Sequence, residues 1–174
     1  MSDAPMTVDW PADIFAALKA HGVRQVPFVP DAGHARLIEM VHAEPTMRGI
    51  TLTTEEEGVA LCAGAWLGGA PSVLLMQSSG VGNTINMLSL IRNGRYPFMT
   101  IVTMRGEYGE FNGWQVPMGS TTPEALRLAG LEVIRVDARA EAGAAVDAAA
   151  KMAFGGGAGV AVLLSQKLIG AKTF

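Results

Sequence analysis

Short aliphatic blocks alternate along this chain with longer segments whose apolar positions recur at helical spacing. Six blocks, Val26–Val29, Gly49–Thr53, Ser72–Gln77, Phe98–Thr103, Glu132–Val136 and Gly159–Leu164, are short and rich in Val, Ile and Leu. Runs of this kind predict strands buried on both faces, as in a parallel sheet. The segments between them predict helices. Pro11 sits in the first turn of one over Ala12–His21, which Gly22 ends, and the turn Pro30–His34 opens another to about His42. After the second strand, Val59, Cys62, Ala63, Trp66 and Leu67 fall at i, i+3, i+4, i+7 and i+8, one buried stripe. The segment SSGVGN, starting at Ser78, opens a helix through Leu88 to about Arg92. Arg105–Gly119 reads as a long polar connection. Thr121 with Glu124 fits a capping box, with Pro123 in the first turn, so a helix begins there and stops at Gly130. The alanine-rich segment Arg139–Phe154 ends at Gly155–Gly157. Strand and helix in alternation give an α/β fold: a six-stranded parallel sheet with helices on both faces, one domain over residues 1–174. Only the Gly155–Gly157 run and the final residues look flexible.

Composition narrows the setting. Hydrophobic residues make up 49% of the chain and charged ones 17%, apolar for a monomer of this size, which points to surface covered by another chain. A net charge of −3 without a basic cluster argues against nucleic acid. No apolar run is long enough to span a bilayer, and the acidic start MSDAPMTVDW is no signal peptide. A cytoplasmic location is the expectation. Cys62 lies in the apolar stripe and reads as a packed core thiol.

In a parallel α/β sheet, ligands bind beyond the carboxyl ends of the strands. Four junctions fall there: Pro30–His34, Glu55–Gly58, Ser78–Asn83 and Arg105–Gly119. The second holds three carboxylates in a row. Thr54 with Glu57 fits a capping box, and acids in a first helical turn suit the helix dipole. That accounts for Glu57 and leaves a functional carboxylate open. SSGVGN lacks the ending of a phosphate loop and is not GxGxxG, so its glycines read as a close packing turn. Asp31 and His34 lack the serine elbow of a hydrolase, and His34 reads as a first-turn residue facing solvent or a partner. His21, His34, His42 and Cys62 share no metal-ligand spacing. Arg105 reads as solvated or as a contact for an anionic substrate.

The motifs VPDAGH, EEEGVALCAGAW and QSSGVGNTINMLSL, followed by MRGEYGE and WQVPMG, together resemble the pyrimidine-binding domain of thiamine-diphosphate enzymes. Within that family the likeness is to the alpha subunit of sulfopyruvate decarboxylase and the matching half of phosphonopyruvate decarboxylase. The resemblance implies a glutamate that hydrogen-bonds the cofactor's aminopyrimidine. The family spacing sets it on Glu55, with Gly58, Cys62 and Gly64 following, and excludes Glu56 and Glu57. It also implies that Gln77, Ser79 and Gly80 flank the pyrimidine, that Asp31 and His34 lie near the reacting carbon, and that Gln115 stands at the pocket mouth. Ala32 departs from the polar residue of relatives, which leaves the 2-oxo acid open.

The family's second domain, with its GDG motif, holds diphosphate and Mg2+. No GDG occurs here. The resemblance therefore implies half an enzyme. A beta subunit would carry the diphosphate-binding domain, in a hetero-oligomer with at least two copies of each chain. The expected activity is decarboxylation of a small 2-oxo acid, sulfopyruvate ahead of phosphonopyruvate, with Arg105 meeting its distal anion. Carboligation by the same cofactor is the enzymatic alternative; a non-catalytic module that stabilises a partner is the other.

Overall fold

The structure, a computed structural model, describes residues 8–170. Most of the acidic N-terminal segment and the last four residues lie outside that range. Six strands, β1 (Gln25–Phe28), β2 (Arg48–Thr51), β3 (Leu74–Gln77), β4 (Phe98–Thr103), β5 (Glu132–Val136) and β6 (Gly159–Leu164), form one sheet in the order β2-β1-β3-β4-β6-β5. Every pairing is parallel. Alternation along the central strands feeds two cores. Leu75, Met99 and Ile101 face α1 (Trp10–Ala20), α2 (Ala35–Ala43) and α7 (Ala142–Ala150). Leu74, Met76, Phe98 and Val102 face α3 (Glu55–Leu67), α4 (Ser78–Thr84), α5 (Leu88–Gly94) and α6 (Val116–Leu128). Both faces of the central strands are covered, which is why these read as apolar runs, while the edge strands β2 and β5 stay partly exposed, short of the expected burial on both faces.

Strand order reverses direction at β1, whose neighbours are β2 and β3, and this switch point is where such sheets leave a crevice. Pro27 weakens the pairing there. Gln25 carbonyl accepts from Val73 on the β3 side, and Phe28 carbonyl accepts from Leu52 on the β2 side. By the alternation of a parallel ladder, the N–H that Pro27 lacks faces β3. The β1–β3 ladder shrinks to Phe28 opposite Leu75, with a single bridge from Gln25 to Ser72. The expected third strand therefore begins at Leu74.

Three expectations are corrected. First, α6 starts at Val116, with Pro117 in its first turn and Pro123 inside it, so the Thr121–Glu124 capping box does not form. Thr121 and Thr122 turn their hydroxyls back onto the Pro117 and Met118 carbonyls at 2.8 and 2.6 Å, as mid-helix threonines do. Second, the helix from Ser78 breaks after Thr84, whose hydroxyl donates to the Val81 carbonyl at 2.8 Å, and resumes as α5 at Leu88. Third, the α3 stripe stops short. Val59, Cys62 and Ala63 are buried, whereas Leu67 is 72% exposed, so the last turn of α3 projects beyond the core. The short helix α8 (Gln166–Ile169) had no periodic signal in four residues. No helix among the described residues is long and apolar enough to cross a membrane.

Candidate active site

Helix α3 begins at Glu55 because Thr54 is extended and Glu57 reaches back, accepting from the Thr53 N–H at 3.0 Å. This is half of the expected box, shifted by one residue; the Thr54 hydroxyl makes no cap bond. Glu56 and Glu57 stay exposed while Glu55 is buried. The Glu55 carboxylate points towards α4. Its Oε2 accepts from Asn83 Nδ2 at 2.9 Å. A Cβ on Gly80 would stand 2.3 Å from Oε1, so only glycine lets α4 run this close beneath the carboxylate. Oε1 takes no hydrogen bond from any described residue. The result is a carboxylate anchored at one oxygen and open at the other, suited to exchange a proton or a hydrogen bond with a bound polar group.

A second polar chain begins one residue before α4. Gln77 Oε1 accepts from the Ser79 hydroxyl at 2.9 Å, and Gln77 Nε2 donates to Asp31 Oδ1 at 3.0 Å. The Thr103 hydroxyl donates to Asp31 Oδ2 at 2.6 Å. The loop after β1 thus meets the last residues of β3 and β4 at Asp31. His34 does not join them. It is fully buried, with Nε2 3.3 and 3.2 Å from the carbonyls of Met76 and Ile101. Two carbonyl acceptors place the ring proton on Nε2, and burial lowers the imidazole's pKa. Its Nδ1 is buried without a partner among the described residues. The expectation of a His34 facing solvent or a partner is overturned: the short 3-10 turn Ala32–His34 rotates the ring inward over the sheet ends.

Arg105 is neither solvated nor unpaired. Its Nε and Nη2 reach the two carboxylate oxygens of Glu110 at 2.5 and 2.6 Å. Glu110 also accepts from the N–H groups of Gly106 and Asn112 and from Gln166 Nε2. The Arg105 guanidinium and these donors hold its carboxyl down to about 2. Ser78 joins this corner to α4, accepting from the Arg105 N–H at 3.0 Å. A cavity of about 200 Å³ lies between the two corners of the β1 and β4 loops, lined by Asp31, Gly33, Thr103, Arg105 and Ile169. Gln115 does not line it, and its Oε1 is buried without a partner among the described residues. Cys62 is packed in the core, and burial pushes its thiol up to about 12. Among the described residues no three His, Cys, Asp or Glu side chains gather to hold a metal.

The fold therefore joins Glu55 with Gly80, and Asp31 with Gln77 and Ser79, through the first turns of α4. It keeps His34 beneath them and Gln115 aside. Asn83, Thr103, Glu110 and Gln166 escaped sequence reasoning. Asn83 alone had a signal: three residues past Gly80, it returns to the same helix face. Thr103 and Glu110 flank Arg105 and Gln166 follows β6; the three share no spacing.

No family model matches the chain. It is 40% identical over 124 residues to sulfopyruvate decarboxylase subunit alpha of Methanothermobacter thermautotrophicus, covering 71% of this chain and 75% of that subunit. Identity is 37% over 114 residues with the same subunit of Methanococcus maripaludis, covering 65% and 68%. With phosphonopyruvate decarboxylase of Streptomyces viridochromogenes it is 41% over 123 residues, 70% of this chain but 31% of that longer protein. Among solved structures, 2-oxoglutarate:ferredoxin oxidoreductase from Magnetococcus marinus superimposes with a TM-score of 0.71 over 92% of this chain and 29% of its own. At 12% identity that likeness concerns the fold alone.

Proposed function

Because this chain belongs to the sulfopyruvate decarboxylase alpha-subunit family, we propose that it is the cofactor-activating half of a thiamine-diphosphate-dependent decarboxylase acting on a small 2-oxo acid. The observation that carries this is the half-committed carboxylate of Glu55 at the carboxyl edge. Asn83 fixes its orientation, Gly80 leaves a flat approach, and Oε1 is open. A ring nitrogen such as that of the cofactor's aminopyrimidine fits that oxygen. When bound, the cofactor supplies an electron sink for the carbanion left by decarboxylation. Glu55 would hold and move the proton at that ring nitrogen. Gln77 and Ser79 would position the aminopyrimidine, with their mutual bond setting the amide's orientation. Asp31, fixed by Gln77 and Thr103, would stand on the substrate side.

In this proposal a beta subunit supplies the diphosphate and Mg2+ site, in an assembly with at least two copies of each chain. Sulfopyruvate is the first substrate and phosphonopyruvate the second. The distal anion is assigned to the partner, because the Arg105 charge is already met by Glu110. The test is reconstitution with the protein encoded beside this chain, assayed on sulfopyruvate, phosphonopyruvate and pyruvate. Glu55→Gln should lower turnover by about 10²–10⁴ with assembly intact, while Glu57→Gln should leave it within a factor of about two. Full turnover by the Glu55 variant would refute the assignment; preference for pyruvate would refute the substrate alone.

A further inference from the structure

The starts of β4, β5 and β6, at the opposite edge of the sheet from Glu55, surround a larger cavity of about 660 Å³. Its size suits a small molecule, whose sites run to roughly 300–1,000 Å³. Arg92 and Arg95 at the end of α5 and Arg127 in the last turn of α6 line it, all three exposed. No described carboxylate is within ion-pair range of Arg92 or Arg95, and Arg127 meets Glu124 at 3.2 Å through one nitrogen. Glu132 is the single carboxylate on the lining. The cavity is thus net positive in a chain whose net charge is −3.

Helix carbonyl ends favour nearby cations, and that accounts for Arg92 and Arg127. It favours a cation at Arg95 too, the C-cap of α5, but does not account for a side chain on that backbone. This residue sits just past α5 in the left-handed conformation, φ 55° and ψ 39°, the only non-glycine at positive φ among the described residues. Glycine is the usual occupant of that position, since a side chain there is strained. Gly94 cannot take the role: a Cβ on it would stand 2.2 Å from the Tyr96 ring, so the glycine is required one residue earlier. Nothing in the turn itself needs a side chain at position 95. Keeping one there adds a third guanidinium to the cavity.

We propose that this cavity binds an oligophosphate anion, free or carried on a nucleotide. Guanidinium groups grip phosphate oxygens in pairs, and three around one cavity suit a ligand with several such oxygens. The site is separate from the proposed chemistry, so its test needs no active enzyme. Tripolyphosphate and ATP are each titrated into the purified full chain by calorimetry, with sodium chloride at matched ionic strength as the control. Sub-millimolar binding is expected for tripolyphosphate; binding of ATP as well identifies the nucleotide-borne form, and its failure the free one. Arg95→Gly should bind about tenfold more weakly or worse while unfolding at the same temperature as the unmodified chain or higher, because glycine relaxes the turn. Arg92→Ser should weaken binding similarly. Binding of neither anion, or undiminished binding by Arg95→Gly, overturns the proposal.

Discussion

Two corners of the carboxyl edge treat their charges differently. At the Asp31–Arg105 corner every charge is committed. Asp31 accepts at both oxygens from neutral donors, and Arg105 and Glu110 close a two-pronged ion pair that Gly106, Asn112 and Gln166 complete. At the Glu55 corner one donor, Asn83, holds one oxygen and the other is left open. Saturated polar clusters fix backbone, here the path of the connection after β4. An unsaturated buried carboxylate contributes little to the fold and keeps its capacity for a ligand.

The comparison can be broken most sharply at Arg105. Arg105→Ala removes the ion pair from a half-buried carboxylate that keeps Gly106, Asn112 and Gln166 as donors, and should cost about 1–3 kcal/mol in denaturant unfolding. Adding Glu110→Gln should recover part of the loss; a loss below about 1 kcal/mol would show that the corner is not architectural. Gly80→Ala acts on the other corner. Its methyl would displace the flexible Glu55 carboxylate, so the fold should persist while turnover of the reconstituted enzyme falls about 10²-fold.

Acid sharpens the contrast further. The Glu110 carboxyl is lowered to about 2, so its contribution is complete above the ordinary value of 4.5 and lost as pH falls from there towards 2. His34 is a base whose pKa is lowered by burial. The unfolded chain takes up its proton first, so stability also declines as pH drops below about 6.5. Urea midpoints should fall in two stages between pH 7 and 3. His34→Gln should remove the upper stage and leave the lower. The smallest effect is expected at Trp114, which is 87% exposed on the committed connection: Trp114→Ser should change chain stability by no more than about 0.5 kcal/mol in thermal unfolding.

The sheet is legible because the central strands are apolar runs bounded by turn residues, and the family resemblance proposes Glu55 by its spacing. Helix limits were less so. The Thr121–Glu124 spacing with Pro123 in a first turn signals a start there, while Pro117, six residues before Pro123, holds that place. Leu67 was read as buried because helical phase says which side a residue takes, and not how far the neighbouring layer extends.

Local pattern, then, determined by itself what depends on neighbours in sequence: the six strands and the parallel α/β class, while the candidacy of Glu55 among three acids came from the family resemblance. Only the tertiary structure decided which charges are spent. Arg105 finds Glu110 five residues on, but the geometry of that pair is set by Gln166, 56 residues beyond Glu110. Asp31 is held by Thr103, 72 residues away, and His34 is buried by carbonyls of two later strands. Hydrogen bonds of that reach have no period to read, because they form only after the sheet has brought the strand ends to one edge.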